Sequence, residues 1–344
     1  MMKNPVMIVL LSTLMPMAMA QDGGVYFSHK NWEIACDNTH TCRAAGYSDE
    51  DESSGSVLLT RLAGPGTALS GEVVLTEMVA DEVAPAEKLT LWINNKPAGA
   101  LTAAEEGYWR LSASQIRSLI KAVKGSSKVE FKGGATAFVL SGEGAAAVML
   151  KMDDVQGRIG TPGALVKQGN RPESSVPAAI PPPVIQAVKI SKAQERPLTA
   201  PEIAALRPKL LATLEQDECD LMQPSEDRDE ELMMLTPLSG NHAVISALCW
   251  RAAYNEGQAY WVIDNALAES PVLVTTSGTD YSEGVISYSH KGRGLGDCWG
   301  TASWVWDGQA FRQESKATTG MCRYIHLGGT WHLPTFVAEV KPAR

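Results

Sequence analysis

The sequence predicts a mainly β protein with a few short helices, built as two antiparallel β domains that a proline-rich linker joins. Short strand-like runs alternate with turn residues along most of the chain. Few helix-length segments separate these runs, which favours antiparallel pairing because parallel strands need long crossover connections. Prolines concentrate between residues 161 and 200, where no aromatic residue occurs. We therefore divide the chain into residues 1–20, 21–160, 161–200 and 201–344.

Residues 1–20 have the pattern of an export signal. Lys3 precedes an apolar run at residues 6–14, and small residues stand at Ala18 and Ala20. The apolar run is too short to span a bilayer, which is typical of a removable signal peptide. We expect cleavage after Ala20 and a mature protein that is periplasmic or secreted.

Composition restricts the classes of partner. The chain has 344 residues, 44% of them hydrophobic, and carries a net charge of −9. Nucleic acids and anionic lipid surfaces favour proteins with clusters of cations, and no dense Lys/Arg cluster occurs here. We expect neither nucleic-acid binding nor membrane insertion.

The six cysteines predict disulfides. An even number of cysteines in an exported protein is typical of a disulfide framework, although six cysteines allow fifteen pairings. No CxxC motif occurs, and no histidine stands at ligand spacing from a cysteine pair, so we expect no metal and no cofactor. Proximity in the sequence suggests the pairs Cys36–Cys42, Cys219–Cys249 and Cys298–Cys322.

Residues 21–160 predict a β-sandwich-like domain with two short helices. Ser112 and Gln115 form a capping box before an apolar stripe with helical spacing, and Asn94-Asn95 predicts a turn. A second helix is expected at 144–156. The predicted strands are two around the Cys36–Cys42 turn within residues 31–47, then 57–62, 72–77, 88–93, 128–132 and 136–140.

Residues 161–200 predict a semi-rigid spacer, because repeated proline removes backbone donors and favours extended polyproline conformation. Beyond it, Thr199 and Glu202 predict the N-terminus of a helix. An aromatic-rich antiparallel meander follows. Its predicted strands are 243–250, 259–263, 272–276, 285–290, 300–306 and 310–315.

One hairpin allows a prediction of register. Asp307-Gly308 predicts a two-residue turn, which places Trp306 opposite Gln309 and Trp304 opposite Phe311. Trp304, Trp306 and Phe311 then share one face of the sheet, and we expect that face to be buried.

Aromatic residues suggest a recognition surface in the last domain, which contains six of the nine tryptophans. Trp299 and Trp331 lie in irregular chain near the suggested Cys298–Cys322 bridge. A disulfide-held loop is rigid, which lowers the entropy cost of presenting an aromatic side chain to a ligand. We predict ligand contacts at Trp299 and Trp331, with Arg293 and His332 as polar neighbours.

A catalytic alternative rests on the histidines and aspartates of the same domain. His242, His290, His326 and His332 could form a hydrolase site with Asp264, Asp280 or Asp297. No GxSxG motif or other activating context marks a serine, so the sequence identifies no catalytic residue.

Four segments resemble a family of exported bacterial proteins called domain of unknown function eleven seventy-six. They span nearly the whole chain after the signal. The first half also resembles the invasion-associated locus B proteins, which have a tryptophan before a cysteine pair, as Trp32 precedes Cys36 and Cys42. The segments are NWEIACDNTHTCRAAGY (31–47), AVMLKMDDVQGRIGTPGAL (147–165), CWRAAYNEGQAYWV (249–262) and DCWGTASWVWDGQAF (297–311).

The second resemblance implies a non-catalytic periplasmic or secreted protein linked to host-cell interaction, and it transfers no catalytic residue. These proteins are single domains, whereas this chain adds a larger C-terminal unit. Our leading hypothesis is an exported, disulfide-stabilised binding or interaction protein of the cell envelope. Its partner would be an envelope or host protein, or a glycan. The alternative is a periplasmic hydrolase.

Overall fold

The computed structural model describes residues 23–52, 54–77, 86–134, 136–223 and 232–343. It confirms a mainly β fold, with several antiparallel sheets and three α-helices in these residues. None of the described helices has the length and apolarity that a membrane span requires. The predicted signal peptide, residues 1–20, lies outside the described residues.

In its described residues, the N-terminal half contains two antiparallel sheets. The strands are β1 Val25–His29, β2 Trp32–Cys36, β3 Cys42–Tyr47, β4 Gly55–Arg61, β5 Leu69–Leu75, β6 Thr90–Ile93, β7 Lys96–Ala100, β8 Thr102–Ala103, β9 Trp109–Arg110, β10 Val129–Lys132 and β11 Phe138–Leu140. The first sheet has the order β1-β2-β3-β4-β5-β9-β8, and the second has the order β11-β10-β6-β7. The predicted strands around Cys36 and Cys42 pair directly, and Asn94 and Asn95 form the predicted turn with positive φ.

Two helices, α1 (Ala113–Val123) and α2 (Ala145–Val155), share one apolar core with these sheets. The predicted capping box of Ser112 and Gln115 is present at the start of α1. Gly71 on β5 lets α1 approach closely, because a Cβ there would lie 3.1 Å from Ile116 Cγ1 of the helix. The largest fully buried members of the core are Trp32, Phe131 and Phe138.

The first part of the predicted linker is packed against the N-terminal half. Arg158 is fully buried and donates to Glu173 Oε1 at 2.9 Å, while the Asp153 carboxylate accepts the backbone N–H of Leu165 and Val166. Thr161 is also fully buried. Residues 161–176 therefore do not form a free spacer, since buried polar partners outside the linker fix them.

In its described residues, the C-terminal half has two five-stranded antiparallel sheets and one α-helix, α3 (Ala200–Leu211). The strands are β12 Val184–Gln186, β13 Arg196–Pro197, β14 Met233–Pro237, β15 His242–Arg251, β16 Glu256–Asp264, β17 Val272–Gly278, β18 Asp280–Ser282, β19 Val285–Lys291, β20 Trp299–Trp306, β21 Phe311–Thr318, β22 Leu333–Val337 and β23 Glu339–Lys341. The sheets follow the orders β13-β14-β15-β16-β17 and β18-β19-β20-β21-β22, and β12 pairs in parallel with β23.

The predicted register of the β20–β21 hairpin is wrong by two residues. Trp306 pairs with Phe311 and Trp304 with Gln313. The Asp307 carboxylate accepts the backbone N–H of Gln309 and Ala310, which makes a longer loop than the predicted two-residue turn. A shift of two residues preserves the face, so Trp306 and Phe311 are buried together as predicted.

The chain returns to the N-terminal sheet after β21. Ile325, Trp331 and Leu333 form an apolar cluster with Tyr47 and Val74. A polar contact beside it joins the Met321 N–H to the buried Glu33 carboxylate at 2.7 Å. Residues 321–333 therefore cover one face of the first sheet.

Candidate functional site

Three disulfides join the six cysteines as Cys36–Cys42, Cys219–Cys249 and Cys298–Cys322, which confirms the suggested pairs. Structural disulfides persist in oxidising compartments, so they indicate an extracytoplasmic protein. Asp297 Oδ lies near the sulfurs of the third pair. Those sulfurs are bonded to each other and offer no thiolate to a metal.

Trp331 does not lie on a ligand-accessible surface. It is only 7% exposed, and its Nε1 donates to the buried Ser56 Oγ at 2.7 Å. Its ring centroid lies 5.3 Å from that of Tyr108. The expected exposure of Trp331 is therefore wrong. The local sequence HLGGTWHLP predicts irregular chain, but the first sheet packs against that chain.

Arg293 and His332 occupy separate environments. Arg293 forms a two-point ion pair with the buried Asp297, with Nε–Oδ1 at 2.8 Å and Nη2–Oδ2 at 2.6 Å. Although burial opposes ionisation, Arg293 and the Tyr324 N–H hold the pKa of Asp297 below its usual value. His332 is not part of that ion pair, and partial desolvation, followed by the charge of Arg43, lowers its pKa.

Trp299 lines a polar groove between the two C-terminal sheets, with a volume of about 220 Å³. The indole is partly exposed and its Nε1 donates to the Gly296 carbonyl at 2.8 Å. Lys291 Nζ lies 5.6 Å from the ring centroid, in a cation–π arrangement. Other side chains lining the groove are Tyr254, Asn255, Gln258, Thr279 and Ser289.

Two residues hold the walls of this groove together. Asn255 donates through Nδ2 to the Lys291 carbonyl at 2.9 Å and accepts the Lys291 N–H at 3.0 Å. His290 Nε2 lies 3.0 Å from the Glu256 carbonyl. The β15–β16 turn is thereby joined to the end of β19. The groove is thus formed before any ligand arrives.

His290, which lines the groove, has a shifted pKa. Burial lowers the pKa of His290 below its usual value, although the hydrogen bond with the Glu256 carbonyl opposes that shift. The imidazole is therefore neutral near neutral pH. Trp250 and Tyr288 pack on the ring, with centroids 5.1 and 4.5 Å away. This histidine supports the wall of the groove.

The histidines show no assembled hydrolytic triad in the described ranges. His326 Nε2 lies 3.0 Å from Glu77 Oε2, and its Nδ1 contacts the Leu327 carbonyl. No hydroxyl completes this pair among the described contacts. His242 packs edge-on against Trp306 instead, with centroids 5.2 Å apart.

Sequence reasoning identified Trp299 but missed the residues that build its groove. Asn255 and His290 act across a distance of 36 and 34 residues in the chain. The segment YNEG at 254–257 interrupts the strand pattern and is a local signal of a turn there. The hydrogen bonds that join this segment to β19 could not be derived without the tertiary structure.

Comparisons with known proteins match nearly the whole chain. The family described as Protein of unknown function (DUF1176) matches residues 26–338. The chain is 24% identical over 362 residues to the Uncharacterized protein YpfG of Escherichia coli (strain K12), and the alignment covers 96% of this chain and 98% of the relative. No solved structure matches the chain.

Proposed function

The chain belongs to the family described as Protein of unknown function (DUF1176), and within that family we propose that it is an exported, non-catalytic binding protein of the cell envelope. The membership confirms the first resemblance drawn from the sequence. The proposed site is the groove at Trp299, and the proposed ligand is one ring of a glycan. Cleavage after Ala20 and release into the periplasm or outside the cell belong to this proposal.

The observation that carries the proposal is a partly exposed indole held rigidly at the groove. Trp299 follows the disulfide-bonded Cys298, and its backbone N–H and carbonyl both bond to Thr319, at 2.8 and 2.9 Å. With the indole N–H also bonded to Gly296, little side-chain freedom remains to be lost on binding.

The chemistry of the groove suits a sugar. The apolar face of a sugar ring can stack on an indole, while its hydroxyls meet polar side chains. Thr279 and Ser289 offer hydroxyls and Lys291 offers an ammonium. The volume of about 220 Å³ is below the range typical of drug-sized ligands, which favours a single ring.

The test is retention of the oxidised chain on a panel of immobilised hexose and N-acetylhexosamine oligosaccharides, followed by calorimetric titration with a retained sugar. We expect Trp299→Ala to weaken binding about tenfold or more, the scale of one lost stacking contact. Trp92→Ala is a matched control, since Lys132 Nζ lies 4.7 Å over the Trp92 ring in a similar cation–π pair.

Two outcomes would contradict the proposal. One is no retention on any glycan of the panel, and the other is an equal loss of affinity in the Trp299 and Trp92 variants. Analysis of the retained sugar for cleavage products also separates binding from the hydrolase alternative. No observation on the described histidines favours that alternative.

A further inference from the structure

We propose a second binding site, on the N-terminal half, for a single-chain anionic amphiphile such as a long-chain carboxylate. The site is a groove of about 510 Å³ between α1 and residues 163–168. It shares no lining residue with the groove at Trp299. We call it the α1 groove.

The floor of the α1 groove is apolar. Ile116 and Ile120 project from successive turns of α1. Leu69 on β5 and Leu165, in the segment of residues 161–176, face them. The volume lies within the range of small-molecule sites. Such a floor offers favourable burial to an alkyl chain, at about 25 cal/mol for each Å² removed from water.

The rim of the α1 groove is cationic in an acidic protein. Arg117, Lys121 and Lys124 all line it, and no acidic side chain does so, although the chain has 39 acidic and 30 basic residues. Lys124 Nζ donates to the Leu165 carbonyl. Among the described contacts, Arg117 and Lys121 have no ion pair or hydrogen bond of their own. Both side chains are exposed at the rim.

The helix itself does not explain this charge pattern. Like charges four residues apart destabilise a helix, so the pair of Arg117 and Lys121 has a cost. Lys121, in the last turn, interacts favourably with the helix dipole. Arg117 lies in the middle of α1 and gains nothing from that effect. An anion held between the two cations would offset their repulsion.

The facing wall is rigid. The Arg61 guanidinium donates to the Gly163 carbonyl at 2.8 Å, and Asp153 accepts the Leu165 N–H at 2.7 Å. Arg61 and Asp153 are both buried. The groove therefore keeps its shape without a ligand, which lowers the cost of binding.

These features select an occupant with one alkyl chain and one anionic head. The chain would lie on Ile116, Ile120 and Leu165. The head would receive charge-assisted hydrogen bonds from Arg117 and Lys121. A neutral detergent can contact the apolar floor but cannot pair with the cations of the rim. A small carboxylate can pair with those cations but has no alkyl chain to bury on the floor.

The test is isothermal titration of the full oxidised chain with dodecanoate, compared with dodecyl maltoside, which has a similar alkyl chain and a neutral head, each below its micelle concentration. We expect saturable binding of dodecanoate and at least about tenfold weaker binding of the maltoside. The double variant Arg117→Gln/Lys121→Gln should lose about tenfold in dodecanoate affinity. The control Lys189→Gln/Lys192→Gln makes the same change in net charge at exposed positions of the linker and should lose nothing.

Equal affinity for dodecanoate and dodecyl maltoside, or an equal loss in both double variants, would overturn the proposal. Binding seen only with vesicles of anionic phospholipid would also overturn it, because it would identify a lipid surface as the partner. Trp299→Ala should leave dodecanoate binding unchanged, so this site and the glycan site can fail separately.

Discussion

The tryptophans of the C-terminal half show how the environment of a single residue is decided. Trp306 is 1% exposed, as its place in an alternating strand predicts. Trp331 is also buried, although its neighbours in sequence are glycine-rich. Alternation along a strand is local information, whereas the burial of Trp331 depends on Ser56 and Tyr108, far away in the chain.

We predict a large loss of stability for Trp331→Ala and a small change for Trp299→Ala. The first should lower the free energy of unfolding by about 3–5 kcal/mol, the usual cost of truncating a buried tryptophan. The second should change it by no more than about 1 kcal/mol, because Trp299 is partly exposed. Urea unfolding of the two variants measures both values. Equal losses would show that Trp299 is a core residue too.

Glu33 is a buried carboxyl at the contact between the two halves. It accepts hydrogen bonds from Tyr26, Tyr47 and the Met321 N–H. Burial raises its pKa, and these donors together with Arg323 only partly oppose the shift. The folded protein therefore binds the Glu33 proton more tightly than the unfolded chain does.

This shift predicts how stability depends on pH. Between the usual glutamate pKa and the raised folded value, the folded state carries more protons at this site, so the contribution of Glu33 to stability grows as the pH falls. Glu33→Gln should remove that slope. The unfolding free energy of the wild type minus that of the variant should thus be more positive at about pH 5 than at about pH 8. A difference that shrinks towards pH 5 would show that the folded pKa is lowered.

At the scale of elements, the N-terminus of α3 was predictable because its determinants are adjacent. Glu202 accepts the Thr199 N–H at 2.7 Å and forms a two-point ion pair with Arg196. The Arg196 guanidinium and the Thr199 N–H lower the pKa of Glu202 to about 2. The carboxylate therefore stabilises the folded state above the usual glutamate pKa and ceases to do so as the pH falls to about 2.

We predict that Glu202→Ala lowers stability by about 1 kcal/mol near neutral pH, the usual cost of losing a helix cap. The loss should disappear as the pH approaches about 2. Glu202→Gln is the control, since an amide can still accept the Thr199 N–H but cannot form the ion pair. Thermal unfolding across this pH range measures all three proteins. A loss that is constant with pH would exclude the carboxylate as its source.

The β20–β21 hairpin marks the limit of such local reasoning. Its strands and its buried face follow from the alternation of Trp304 and Trp306. Its register depends on the Asp307 side chain, which bonds two backbone N–H groups and lengthens the loop. Turn propensity alone ranks the two-residue turn first and therefore selects the wrong partner for Trp306.

At the scale of the whole molecule, the two halves are joined by more than the predicted linker. Residues 321–333 cover the first sheet, and β12 pairs with β23 beyond them. The Val337 N–H also donates to Asn38 Oδ1 at 2.7 Å. The C-terminal chain thus contributes to the N-terminal core. The division into two domains remains a prediction.

Limited trypsin digestion tests this arrangement. Lys167, Arg171, Lys189 and Lys192 are all exposed. The backbone at Lys167 and Arg171 is held by hydrogen bonds, however, because the Gly160 N–H donates to the Lys167 carbonyl and the Arg171 N–H donates to the Gly160 carbonyl, both at 2.8 Å. We expect the first cuts at Lys189 and Lys192, with the two fragments still eluting together in gel filtration. Cysteines pair within each fragment, so co-elution would not be due to a disulfide. Separation of folded fragments would show two independent domains.

The sequence alone determined the positions of most strands and of the two capped helices, α1 and α3. It also determined the disulfide partners suggested by proximity and the shared face of Trp306 and Phe311. Each of these depends on residues close together in the chain, whose periodicity and capping groups act locally. Only the tertiary structure decided that Trp331 is buried, that residues 161–176 are packed, and that Asn255 and Lys291 form one wall at Trp299. Those features depend on contacts between distant segments, and burial and pairing across such distances leave no local pattern to read.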